Sequence, residues 1–144
     1  MAIQFTEDLL INHKGLDDHH REIYIQVKQV LSAYAQGNGE FAALNLMSFL
    51  ERHVAKHFAE EEALMKLYKY QNLQQHQDKH NQFLRALRDL RAEYTETGPS
   101  MHFLVQFNQL IMDGLVLHIG REDKQLGAFL KNNPDYISQQ KRAS

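Results

Sequence analysis

The feature that most constrains this chain is how rarely it is interrupted. Strong breaking clusters occur at Gly37-Asn38-Gly39, Gly98-Pro99 and Asn132-Asn133-Pro134, with a weaker one at Tyr70-Gln71-Asn72. Between them run segments rich in Leu, Glu, Gln, Lys, Arg and Ala, residues that lose little side-chain freedom in a helix. Apolar residues recur there every three or four positions, the repeat of a helix with one buried face. The spacing predicts helices at about 18–36, 40–69, 73–95 and 100–131. The first carries His20, Ile23, Tyr24, Val27, Leu31 and Tyr34 on one stripe, and the second Leu46, Leu50, Val54, His57, Glu61, Leu64 and Tyr68. The third gives Leu73, His76, His80, Phe83, Leu87 and Tyr94, and the fourth Leu104, Phe107, Ile111, Leu115, His118, Glu122 and Phe129. No strand pattern competes, because nowhere do Val, Ile and Thr alternate with polar residues over five or more positions. The expected fold is all-α, an antiparallel up-down-up-down four-helix bundle with an N-terminal arm. One domain over residues 1–144 is expected: arm 1–16, bundle 17–131 and C-terminal tail 132–144. Leu9-Leu10-Ile11 of the arm should pack on the bundle, and the tail from Gln139 should fray.

Polar residues interrupt all four stripes, and they are of one kind. His20 lies on the first, His57 and Glu61 on the second, His76 and His80 on the third, and His118 with an acidic neighbour on the fourth. Positions i and i+4 share a face, so the His57/Glu61 and His76/His80 pairs can each aim at the bundle axis. Burying such groups unpartnered costs several kcal/mol for each ionised one. A shared metal cation is the simplest partner. Imidazole and carboxylate without sulfur suit iron, zinc, copper or manganese. Five imidazoles and two carboxylates are more than one octahedral ion accepts, which implies a dinuclear site. With both carboxylates bridging and one shared oxo or hydroxo ligand, a pair of octahedral ions keeps a single open position.

Other chemistries lack their residues. The chain has no cysteine, which excludes disulfides, iron–sulfur clusters, thiolate zinc and thiol nucleophiles. A zinc-protease helix needs Glu directly after its first His, yet Val54 follows His53 and Gln77 follows His76. A ferritin-like centre needs Glu-x-x-His pairs, and none occurs. The net charge of −2 offers no electrostatic footprint for nucleic acid. Apolar runs such as Leu115-Val116-Leu117 are too short to span a bilayer, and Met-Ala-Ile-Gln-Phe-Thr-Glu-Asp is unlike a signal peptide. A cytoplasmic location, with no nucleic-acid or membrane partner, is expected.

Four stretches resemble the hemerythrin family. Leu16-Asp17-Asp18-His19-His20 is similar to its first-helix signature, and His57-Phe58-Ala59-Glu60-Glu61-Glu62-Ala63-Leu64-Met65 to its second-helix run. His76-Gln77-Asp78-Lys79-His80 and His118-Ile119-Gly120-Arg121-Glu122-Asp123 resemble those of the third and fourth helices. The resemblance implies two Fe ions with a bridging oxo or hydroxo group, and reversible O₂ binding without enzymatic turnover. It implies that His76, His80 and His118 hold one iron, that His20 and His57 hold the other, and that Glu61 and Asp123 bridge. An O₂ or redox sensor with a protein partner, and a peroxide- or nitric-oxide-reducing enzyme, are the rival readings. Leu115 and Ile119 are candidates for the pocket wall. Phe5 and His19 stand where family members often carry Trp and Gln.

The fourth helix sets the two lines of reasoning against each other. On an ideal helix Glu122, at i+4 from His118, faces the site better than Asp123. The family pattern selects Asp123, which requires the helix to widen near Gly120, as in a π turn. His13, His19, His53 and His102 are left as solvated or interfacial residues, with His53 also a possible partner of the site. Phe58, Met65 and Tyr68 are read as core packing, and Lys79, Arg85, Arg88 and Arg91 as a solvated face.

Overall fold

The computed structural model of the protein describes residues 4–143; residues 1–3 of the expected arm and residue 144 of the tail lie outside them. The described residues are helical nearly throughout, and none of them is in a strand. Helix α1 spans Lys14–Ala35, α2 Gly39–Leu67, α3 Leu73–Thr97 and α4 Met101–Ile111. The fourth rod then runs through π-helical turns at Met112–Val116 and Ile119–Asp123 into α5, Lys124–Lys131. Consecutive rods pack together, α1 on α2, α2 on α3 and α3 on α4.

The first helix begins before the expected residue 18 because its start is capped. His13 Nδ1 accepts from the Leu16 N–H at 3.2 Å, satisfying one of the free donors of the first turn. The buried Asp17 carboxylate reaches back to the N–H groups of Ile11 (2.8 Å) and His13 (3.2 Å). These bonds fasten the arm, whose Ile11 is fully buried as the apolar run predicts. Phe5 sets its ring edge-to-face on Tyr24, with centroids 5.4 Å apart. At the other end, α3 stops at Gly98, where φ is 70°, a value that favours glycine.

The predicted stripes hold along α1 to α3 with local corrections. Leu31 is exposed and Val30 buried in its place, while Leu64, Tyr68, Leu73, Tyr34 and Tyr94 are half-buried. On the fourth rod the departure is systematic. Phe103, Ile119, Asp123, Leu126 and Leu130 are buried, whereas Leu104, Glu122 and Phe129 are only partly so. A straight α-helix drifts by about 40° every four residues, which would carry an i+4 series off the core. The wider π turns take that drift back, so Phe103, Phe107, Ile111, Leu115, Ile119 and Asp123 remain on one face.

Two further expectations need correction. Met101–Lys131 is one continuous 31-residue helical run that is long and apolar enough to cross a membrane by length and composition alone. One face of it, with Phe103, Phe107, Ile111, Leu115, Ile119, Leu126 and Leu130, is buried against the other helices, while Val105 and Leu117 are exposed. The tail forms a helix, α6, over Pro134–Ala143 instead of fraying from Gln139. Asn133-Pro134 breaks one helix and starts the next: the Asn133 side chain accepts from the Tyr136 N–H at 3.0 Å, and proline suits the first helical position.

The buried apolar residues form two clusters. One joins Ile23, Val27, Leu46, Leu50, Phe83, Leu87, Phe103 and Phe107 with their neighbours. The other joins Ile11, Leu16, Met65, Tyr70, Leu126, Leu130 and Tyr136. Along the chain, His20 falls between Leu16 and Ile23, His57 and Glu61 between Val54 and Met65, and His118 and Asp123 between Leu115 and Leu126. A polar layer thus separates two apolar ones.

Candidate metal centre

Each of the four rods contributes to that layer. α1 supplies His20, α2 supplies His57 and Glu61, α3 supplies His76 and His80, and the fourth rod supplies His118 and Asp123. All seven side chains are buried, none more than 4 % exposed. The structure therefore brings together every residue of the predicted set.

Asp123 enters through the π turn Ile119–Asp123, which places i+5 on the face that i+4 holds in an α-helix. Glu122 stays outside the layer, its Oε1 3.4 Å from His118 Nδ1. Ideal-helix geometry pointed to Glu122; the widened turn overrides it.

The two carboxylates divide their oxygens. Glu61 turns Oε2 to His20 Nε2 and His57 Nε2, both at 2.9 Å, and Oε1 to His80 Nε2 at 2.9 Å and His76 Nε2 at 3.3 Å. Asp123 turns Oδ2 to His20 Nε2 at 3.0 Å, and Oδ1 to His76 Nε2 at 2.9 Å and His118 Nε2 at 3.1 Å. Two donor groups result, each able to hold a metal ion. One is Glu61, His76, His80, His118 and Asp123; the other is His20, His57, Glu61 and Asp123. The carboxylates belong to both.

These short approaches are only partly hydrogen bonds. His80 Nε2, His118 Nε2 and both Asp123 oxygens are buried without a hydrogen-bond partner, despite neighbours near 3 Å. These pairs meet the distance of a hydrogen bond but not its angular requirement. Orphaned buried polar atoms are costly, and a cation among them satisfies several at once. The residues present fit a metal.

Without a metal, the charges of the layer compensate one another. Burial opposes charge on His20, but Asp123 and Glu61 outweigh it and push the pKa up to about 10. His76 behaves in the same way and rises to about 9. Burial alone would raise Glu61, yet the surrounding imidazoles hold it well below the usual carboxylate range. Asp123 is lowered too, against burial and the repulsion of Glu61, mainly by His118 and His20.

Residues outside the predicted set fix the imidazole orientations. Glu62 Oε2 meets His80 Nδ1 at 2.8 Å, and Gln77 steadies Glu62 through its other oxygen at 3.1 Å. Phe58 stacks on His80 with ring centroids 3.8 Å apart and planes 4° apart, so it orients a ring as well as packing the core. His19 Nδ1 lies 3.1 Å from His57 Nδ1. Sequence reasoning missed Glu62 and the His19 contact; the available signal was adjacency to Glu61 and His20, one residue further round each helix. The other histidines stand apart: His13 caps α1, His53 leans on the Phe49 ring at 4.8 Å, and the exposed His102 pairs with Glu93 at 2.9 Å.

A helical rod assembly closed around a buried histidine–carboxylate cation site is the class this structure defines. The family model for the hemerythrin HHE cation binding domain matches residues 12–130. Myohemerythrin from Sipunculus nudus is 32% identical over 94 residues, covering 65% of this chain and 72% of that protein. No solved structure matches. The chain belongs to the hemerythrin family.

Proposed function

We propose that the protein binds O₂ reversibly at two iron ions held by His20, His57, Glu61, His76, His80, His118 and Asp123. The observation that carries this reading is the division of Glu61 and Asp123, each with one oxygen turned to the histidines of either donor group. In this reading both acids would be shared between the two ions, His76, His80 and His118 would complete one position, and His20 and His57 the other. With fewer imidazoles, the second position would be left open to one small ligand. When bound, a pair of ferrous ions would supply the two electrons that O₂ accepts.

The chain's own part is to hold and to exclude. Glu62 and His19 hydrogen-bond ligand imidazoles from behind and fix how they face the centre, and the Glu122 carboxylate lies beside His118. Leu115 and Ile119, each 1 % exposed and flanking His118 in sequence, are assigned in this reading to the wall of the ligand pocket. A dry wall limits protonation and loss of the bound ligand, which favours reversal over turnover. The rods are read as an antiparallel bundle over residues 17–131, at work in the cytoplasm and with O₂ as ligand.

A sensor reading has one observation of its own. The arm lies directly on α5, with a Cβ at Gly127 meeting Ile11 Cα at 2.7 Å, four residues beyond Asp123. A change at the centre could therefore reach the arm.

Anaerobic loading with ferrous iron, exposure to O₂ and then its removal tests the proposal. Bound iron near two per chain, with a visible absorption that appears and reverses, supports a carrier. Irreversible oxidation, with turnover when a reductant is added, supports a reductase instead. A fully reversible cycle accompanied by altered protease sensitivity of the arm favours the sensor.

A further inference from the structure

We infer that His19 is a positioning residue for the centre, accepting the Nδ1–H of His57 and so keeping the Nε2 lone pair of His57 turned inward. The inference rests on the metal reading above. The two Nδ1 atoms are 3.1 Å apart, and the rings meet edge-to-face with centroids 5.3 Å apart. Two ring nitrogens can share a hydrogen bond only when one carries a proton and the other does not. His57 Nε2 lies inside the layer, 2.9 Å from Glu61 Oε2. A nitrogen that binds a cation must be bare, so the proton of His57 belongs on Nδ1. His19 must then offer a bare Nδ1 and carry its own proton on Nε2. Glu60 does not compete for that His19 nitrogen, since its Oε2 is 3.9 Å away, beyond hydrogen-bond reach.

The consequence is an asymmetry between the two donor groups. In the three-histidine group, His80 and His118 are backed by the carboxylates of Glu62 and Glu122, at 2.8 and 3.4 Å. In the two-histidine group, His57 is backed by a neutral imidazole, and His20 Nδ1 has no hydrogen-bond partner among the described residues. An anionic partner raises the basicity of a ligand imidazole more than a neutral one does. The two-histidine position is therefore the weaker holder, and His19 is its main support. His19 is also reachable. Its side chain is 47% exposed and lines a cavity of about 320 Å³ with His53, Phe49, Leu50 and Val54.

Zinc, a diamagnetic probe, tests this without O₂ chemistry. Nitrogen-15 NMR of the zinc-loaded protein should show a slowly exchanging His57 Nδ1–H. His19→Gln keeps an acceptor and should retain that signal. His19→Leu should lose it and weaken one of two zinc sites by roughly 10–100-fold, leaving the other unchanged. His19→Phe, which fills the space without an acceptor, replaces the leucine variant if that variant does not fold. An unchanged His57 signal and unchanged affinities in the variant lacking an acceptor overturn the inference, as does a glutamine variant as impaired as leucine. Wild-type protein that takes up no zinc overturns the metal reading itself, and this inference with it.

Discussion

At His118 the choice between two adjacent acids turns on one residue of backbone register. Asp123 is buried in the layer, and Glu122 touches only the outer nitrogen of the same imidazole. Asp123→Ala should therefore lower the iron retained per chain after dialysis, whereas Glu122→Ala should keep the full complement with weaker affinity. Metal analysis of the two variants side by side checks this, and the reverse order would assign the roles to the wrong acids. The pocket wall makes a separate prediction. Leu115 is buried and one turn before His118, so Leu115→Ala leaves a space beside the centre and should cost about 2–5 kcal/mol of stability. Water then has access, and the ferrous-loaded protein should oxidise irreversibly faster over repeated O₂ cycles. An unchanged oxidation rate would remove Leu115 from the wall.

Elements differ in how openly their sequences speak. In α1, α2 and α3 the apolar stripe and the site residues share one helical period, so both were legible together. His57/Glu61 and His76/His80 needed only the i+4 rule. On the fourth rod the period changes twice, and no residue type marks a π turn; the family pattern pointed to Asp123 where periodicity pointed to Glu122. α6 was hidden for a different reason: its sequence is polar and Tyr136 is its buried anchor, so there was no stripe to count. The arm was read correctly as packing on the bundle, but not its tightness. Any side chain at Gly127 would meet Ile11 Cα at 2.7 Å, an obstruction no rotamer change relieves. Gly127→Ala should thus displace the arm and lower stability by roughly 1–3 kcal/mol in urea unfolding, with earlier proteolysis near Ile11. A melt identical to wild type would show that the arm yields freely.

For the whole molecule, the buried layer ties stability to pH in a way that depends on metal. In metal-free protein, His20 and His76 titrate near 10 and 9 instead of 6.5. Raised values mean that their contribution is complete below about pH 6.5 and fades as pH climbs through 9 and 10. Glu61 and Asp123 act on the acid side, their contribution present above the ordinary carboxylate range and lost at lower pH. Thermal melts of metal-free protein should therefore fall between pH 7 and 10. Metal requires bare imidazoles, so loading near neutral pH should expel protons, measurable in weak buffer, and flatten the alkaline decline. An alkaline slope that metal leaves untouched would show that these histidines are not its ligands. One long-range contact carries the last consequence: the Tyr136 hydroxyl donates to the Asn12 carbonyl, joining positions 124 residues apart. A contact of such sequence separation closes against the entropy of the whole intervening loop, a cost that contacts between consecutive rods largely escape. The bond therefore acts as a clasp, holding the arm to α6 on the side of the layer where Ile11, Leu126 and Tyr136 are buried together.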